Sequence, residues 1–372
     1  MSTKRQQMNT RSGALICGAY GMSNAGDEAI LEAVVGEMRS IDPAMPLTVL
    51  SRTPQATAEK YGVSSLHMFD IPGFLKALRR TALYINGGGS LIQDVTSTRS
   101  LWYYLFTIIA ARLARCRVLM YGCGIGPVRR RLNRRLTALV LNSCVDAITL
   151  REESSREELR AFGVTKPEII LASDPALTLS AAAEEEVDAA MEKLGLEREG
   201  RYLCLCLRSW PGFEEKAPCF AAAAAYAHER YGLQPLFLSV NTKGDGQAAA
   251  LAARTLSVPH AIVSEPMPTP ITIGLIARMQ AVVSIRLHGL IFAASQAVPV
   301  AGVVYDPKVS AFLDYIGQTN YLPLEAVTEE SLCRLVDKAM AMDRTALAKA
   351  TEELRAKESR NTDAARRLLE NI

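Results

Sequence analysis

The segment Ser284 to Lys308, SIRLHGLIFAASQAVPVAGVVYDPK, gathers residue types that together can move a proton on an anion. An apolar run, Ala281–Val283, ends in Ser284; Arg286 and His288 follow on a turn, and a helix-like segment opens at Gly289. A second apolar run, Pro299–Val304, stops just before Tyr305, Asp306 and Lys308. Read as two strands of a parallel sheet, these runs deliver an arginine, a histidine and a lysine to one edge. In open α/β sheets that edge, outside the strand carboxyl ends, is where ligands sit. One titratable imidazole between two fixed cations suits proton transfer to an anionic substrate. A lone histidine on an apolar helix is more often a satisfied core group. His288, however, stands at a helix start, whose positive end disfavours an imidazolium, while a bound dianion would favour it. Protonation would then follow substrate binding. His67, His228 and His260 have no such company and no metal-ligand spacing.

Other strand ends carry polar residues too. The first apolar run feeds the loop Gly18-Ala19-Tyr20-Gly21-Met22-Ser23-Asn24-Ala25-Gly26-Asp27-Glu28 and then a helix. The spacing is not G-x-G-x-x-G, and the second run ends in Ser51-Arg52 rather than in an acid for a ribose, which disfavours NAD. Acids at the helix start suit its dipole but would repel a pyrophosphate. Tyr20, Asn24 and Asp27 read either as contacts to a sugar or as a capped helix start, with equal weight. Asn86-Gly87-Gly88-Gly89-Ser90 allows backbone amides to approach a ligand, or forms a tight turn. Gly122-Cys123-Gly124-Ile125-Gly126-Pro127 repeats the theme. Arg151 ends a further run, as an ion pair at a helix start or as an anion ligand; Asp174, before a proline, is a turn former or a site residue. Arg208 and Trp210 at another strand end offer an anion fork and a stacking face.

Behind these motifs, short apolar runs alternate with helix-length amphipathic segments throughout the 372 residues, the pattern of α/β proteins with parallel sheets. The first series of runs is Ala14–Cys17, Leu47–Leu50, Ala82–Ile85, Val118–Tyr121, Val145–Thr149 and Glu168–Leu171, with a short addition at His67–Phe69. The second is Tyr202–Leu207, Pro235–Val240, Ala261–Val263, Ala281–Ser284 and Pro299–Val304. Two doubly wound domains joined near residue 180 are expected, over 13–180 and 198–326, with a helical tail over 327–372.

Apolar content of 49% with 22% charged residues is that of a globular protein, and a net charge of +3 makes no general nucleic-acid binder. The charge is uneven: eight arginines (112, 115, 117, 129, 130, 131, 134, 135) and no acid lie between Arg112 and Arg135. This is a solvated helix face or a patch for anionic lipid head groups or a diphosphate-linked acceptor. The eight cysteines form no C-x-x-C and lie mostly in apolar runs, the usage of a reducing compartment. The opening MSTKRQQMNTRSG has no apolar h-region, and Leu101–Ala111 is about half the length that spans a bilayer. A cytoplasmic protein, peripheral to the inner membrane face at most, is expected.

Taken in order, GAYGMSNAGDEAIL, INGGGSLIQDVTSTRS, YGCGIGP, DAITLREESS, SDPAL, LRSW and IRLHGLIFAASQAVPVAGVVYDPKVSAFL resemble the polysaccharide pyruvyl transferase family, CsaB type. The likeness spans residues 14 to about 316. Ala19 and Met22 stand where the family usually has aromatics, Cys123 where it has Gln, and RSW where it has RPW. The resemblance implies two Rossmann-like domains facing across a cleft, as in GT-B glycosyltransferases. It implies phosphoenolpyruvate as co-substrate, no cofactor and no metal, and a cell-wall glycan or lipid-linked glycan precursor as acceptor. Pyruvate would become a ketal on two sugar hydroxyls, O4 and O6 of β-ManNAc. By the same resemblance His288 delivers the proton, and Arg286, Lys308 and Arg208 neutralise the donor. Arg151 completes that catalytic set, while Tyr20, Asn24 and Asp27 meet the acceptor. The alternative is a nucleotide-sugar-dependent glycosyltransferase of the same fold.

Overall fold

The structure is a computed structural model that describes residues 11–95 and 97–370; residues 1–10 of the N-terminal polar segment and Thr96 of the glycine-rich motif lie outside the described residues. Contacts divide the chain into two compact units. One takes its described residues from Met1–Met22, Ile30–Pro175 and Lys357–Ile372, the other from Ser23–Ala29 and Ala176–Ala356.

The first series of elements is β1 (Ser12–Cys17), α1 (Ala25–Ile41), β2 (Leu47–Ser51), α2 (Pro54–Tyr61), β3 (Ser64–His67), α3 (Ile71–Leu78) and β4 (Thr81–Ile92). It continues with α4 (Thr98–Leu113), β5 (Arg117–Ile125), α5 (Arg131–Cys144), β6 (Ala147–Leu150), α6 (Glu153–Phe162) and β7 (Glu168–Leu171). The seven strands are parallel in the order β3-β2-β1-β4-β5-β6-β7. The pleat sends alternate residues of β1 to opposite faces: Leu15 and Cys17 join one apolar cluster, Ala14 and Ile16 the other. With helices on both faces, such a strand is apolar throughout, which is why it reads as an unbroken run.

The second series is α7 (Glu184–Lys193), β8 (Tyr202–Cys206), α8 (Phe213–Tyr231), β9 (Gln234–Leu238), α9 (Asp245–Ala253), β10 (Ala261–Val263) and α10 (Thr269–Ala277). Then follow β11 (Ala281–Ser284), α11 (Leu287–Ser295), β12 (Val300–Val304), α12 (Pro307–Tyr315), β13 (Tyr321–Pro323), α13 (Glu329–Met340) and α14 (Arg344–Glu370). Its six strands are parallel in the order β10-β9-β8-β11-β12-β13. The strand order reverses between β8 and β11. This is the switch point, where loops leave in opposite directions and open a crevice. Leu203 and Leu205 of β8 face one cluster, Tyr202, Cys204 and Cys206 the other.

Three local readings differ from the observed elements. The triple glycine does not end β4: the strand runs on to Ile92, with Gly88 and Gly89 at φ +61° and +66°. Gly89 pairs with Cys123 and Ile92 with Ile125 across an irregular register, so β5 continues through its own glycines. A Cβ on Gly88 would come 2.0 Å from Ile30 Cγ2, so the stretch is packed backbone, neither turn nor open cradle. Helix α3 was not expected, although Asp70 caps it by accepting from Gly73 N at 3.0 Å and a proline occupies its first turn. The short third strand is Ser64–His67, upstream of His67–Phe69.

Candidate active site

The second unit places four of the expected residues at the carboxyl ends of three adjacent strands. Cys206 of β8 pairs with Ser284 of β11, and Ser284 with Gly302 of β12. Arg208 lies just past β8, Arg286 and His288 just past β11, and Lys308 just past β12. Local sequence explains the turn after β11: Ser284 Oγ donates to the Arg286 carbonyl at 2.7 Å, and Arg286 caps α11 with extended backbone. Gly289 lets the first turn of α11 settle on the sheet, since a Cβ there would stand 2.6 Å from Ser284 Oγ and 3.0 Å from Cys206 Sγ.

The cations do not stand alone. Arg286 is forked onto Asp245 at the start of α9, its Nε lying 3.0 and 3.1 Å from the two carboxylate oxygens. Asp245 is 1% exposed and also accepts from Val240 N at 3.2 Å and Asn241 N at 3.0 Å. Burial pushes its carboxyl above the usual range, opposed by Arg286 and those two amides. The pair therefore holds Arg286 in one orientation. Tyr305 carries the other two cations: Arg208 Cζ lies 4.4 Å and Lys308 Nζ 5.5 Å from the ring centroid. Lys308 Nζ is also 3.3 Å from Asp306, whose carboxylate caps α12 by accepting from Lys308 N at 3.1 Å.

His288, partly buried, packs on Phe292 with ring centroids 6.0 Å apart. Its other neighbour is the opening turn of α1, for a Cβ on Gly26 would fall 1.9 Å from His288 Nδ1. That turn belongs to the same unit. Asn24 forms an antiparallel bridge with Asn241, and Ala25 N donates to the Val240 carbonyl at 2.8 Å. Asn24 Oδ1 accepts from Gly26 N at 3.2 Å, and its amide nitrogen donates to Asp27. Asn24 thus caps the helix and orients Asp27, both within the unit that carries His288.

Arg151 and Tyr20 lie in the first unit. Arg151 is 5% exposed; its Nε donates to Glu152 and an Nη to Asp174, both at 2.8 Å, and its other Nη to Ser90 Oγ at 3.2 Å. Burial works against its charge, but Glu152 and Asp174 outweigh it and push the guanidinium above its ordinary value. Gly124 leaves room for this cluster, since a Cβ would meet Glu152 at 2.7 Å and Ser90 at 2.8 Å. Tyr20 is 1% exposed and donates to the Gly87 carbonyl at 2.8 Å, its ring filling space left by Gly18 and Gly87. Sequence reasoning did not single out Asp245, Tyr305 or Gly26 as members of the site. An acid just ahead of an alanine-rich helix, and an aromatic between two expected cations, were the available signals.

Two parallel sheets in this strand order, in succession along one chain, with cations gathered at a switch point of the second, define a protein of GT-B-like fold. Solved structures of similar fold are UDP-GlcNAc 2-epimerase from Methanocaldococcus jannaschii (12% identity, TM-score 0.64, 92% of this chain and 97% of that one) and Anabaena HepE with UDP-glucose (10%, 0.66, 97% and 100%). A glycosyltransferase from Rickettsia africae is similar too (12%, 0.60, 97% and 97%). No curated protein sequence matches significantly. Residues 24–307 match the polysaccharide pyruvyl transferase family, and the chain belongs to it. It is a transferase whose acceptor is a glycan.

Proposed function

We propose that the enzyme is of the CsaB type and moves the enolpyruvyl unit of phosphoenolpyruvate onto two hydroxyls of a cell-wall glycan sugar, O4 and O6 of β-ManNAc. The observation that supports this most is the meeting of Arg208 and Lys308 on the Tyr305 ring, one strand end away from Arg286 and His288. Phosphoenolpyruvate carries a carboxylate and a phosphate on one small carbon frame, and several cations at one sheet edge suit two anionic groups.

His288 protonates the methylene carbon, which becomes the methyl group, and C2 becomes oxocarbenium-like. One sugar hydroxyl forms the first C2–O bond, the phosphate C2–O bond breaks, and the second hydroxyl closes the ketal. Of the two hydroxyl protons, one restores His288 and the other leaves with inorganic phosphate. Proton delivery of this kind contributes about 10²–10⁴-fold. Arg286, fixed by Asp245, and Arg208 with Lys308 neutralise the donor. Asn24 and Asp27 hold the sugar; Tyr20, buried in the first unit, supports that function by fixing its own loop through Gly87. Arg151 shapes the first unit's part of the catalytic machinery. The chemistry calls for no cofactor, and the glycan precursor is met in the cytoplasm.

Purified protein incubated with phosphoenolpyruvate and a β-ManNAc-bearing acceptor is expected to release inorganic phosphate and to add one pyruvate increment to the acceptor by mass spectrometry. Phosphate release without the increment would mean hydrolysis and overturn pyruvyl transfer, and turnover of UDP-sugars with none of phosphoenolpyruvate would favour the nucleotide-sugar reading instead.

A further inference from the structure

We propose that the α3–α4–α5 face of the first unit is a docking surface for an anionic phospholipid bilayer. An ordinary surface helix turns its polar side outward. Helix α4 does not. Leu101, Tyr104, Leu105 and Ile108 are buried, yet its outward stripe at helical spacing is Arg99, Trp102, Phe106, Ile109 and Leu113. Trp102 is 50%, Phe106 41% and Leu113 79% exposed. The flanking helices extend the stripe. Phe74 of α3 lies 6.5 Å from Phe106, and Trp102 Nε1 donates to Asn133 Oδ1 of α5 at 3.1 Å. Helix α3 adds Leu75 (40% exposed), and α5 adds Leu132 and Leu139 (63% each).

The helices of this face carry charge of one sign. None of the three contains Asp or Glu, while Arg79, Arg115, Arg131 and Arg135 are exposed; Arg112 is paired with Asp146 at 3.3 Å. A groove of about 530 Å³ is lined by Leu75, Phe106 and Leu113 together with Arg11, Arg79 and Arg115. Large apolar side chains ringed by arginines match the boundary between acyl chains and phosphate head groups. Charge also selects among occupants. A second copy of the same face would set cations against cations, and exposed leucines have no role on a nucleic acid. The inference does not rest on the pyruvyl reading, because none of these residues takes part in that chemistry.

The test is flotation of the full-length protein with phosphatidylglycerol/phosphatidylcholine vesicles and with pure phosphatidylcholine, followed by tryptophan emission in a Trp210→Phe background. Trp102 is then the single reporter, since the chain has two tryptophans. Binding to the anionic vesicles alone, with a blue shift of Trp102, is expected. Phe106→Ser with Leu113→Ser should abolish both signals, and each of Arg79→Gln and Arg115→Gln should weaken binding about fivefold at low salt. Leu132→Ser with Leu139→Ser, on another helix, provides a second apolar variant should the first melt early. Equal binding to neutral vesicles, no binding, or concentration-dependent self-association that the same variants remove would each overturn the proposal, the last in favour of a second copy.

Discussion

A methyl group on Gly26 would stand 1.9 Å from Nδ1 of His288, so the backbone of α1 and the imidazole of α11 are in direct contact. Alanine would ordinarily strengthen a helix at such a position, by up to about 1 kcal/mol over glycine. Here it must displace the ring. Gly26→Ala is expected to lower kcat about 10²-fold, since a shift of about 1 Å in a reacting group has that effect. The Km for phosphoenolpyruvate should change little. Full activity in this variant would show that His288 does not act from its observed position.

The cation pair on Tyr305 predicts an order of effects on donor affinity. Arg208→Gln or Lys308→Gln removes a charge-assisted bond of about 1.5–3 kcal/mol and should raise the Km about 10–100-fold. Tyr305→Leu leaves both charges but removes the face they share, worth about 1 kcal/mol, and should raise it only a few-fold. Steady-state kinetics with varied phosphoenolpyruvate reads the ranking, and its reversal would argue against donor binding at this ring.

Arg151 should matter for stability as well as for turnover. Arg151→Met removes the guanidinium that offsets the charges of Glu152 and Asp174, 7% and 3% exposed. A loss of about 3–5 kcal/mol is expected by urea denaturation. Replacing all three members with apolar residues of similar volume should recover most of that loss.

Glu358 gives the first unit a pH dependence. Burial pushes its carboxyl up from 4.5 to about 7, with Glu37 and Asp174 adding to the rise and an Asn361 hydrogen bond opposing it. In the unfolded chain it ionises near 4.5, so folding retains a proton between the two values. Its contribution is therefore full below about pH 4.5 and lost as pH rises through about 7, on the order of 3 kcal/mol. Glu358→Gln should flatten that part of the stability–pH profile, measured by urea midpoints across the interval.

Much of the architecture was legible because it is local. A strand buried on both faces is apolar along its length, so each run and its end can be read directly, and Arg208, Arg286, His288 and Lys308 were placed at strand ends by that means alone. Partners distant in sequence left no such trace. The Arg286–Asp245 fork joins side chains 41 residues apart. The contact of Gly26 with His288 exists only because residues 23–25 are stitched to the end of β9. The glycines of β4 became strand because β5 lay alongside to pair with them, and intrinsic propensity has no say in that. Leu101–Ala111 reads in sequence as one apolar stretch, about half the length that spans a bilayer. Which of its residues meet the sheet and which meet solvent was decided by the pitch of α4 against the elements beneath it, and so was the outward stripe that Trp102 and Phe106 form.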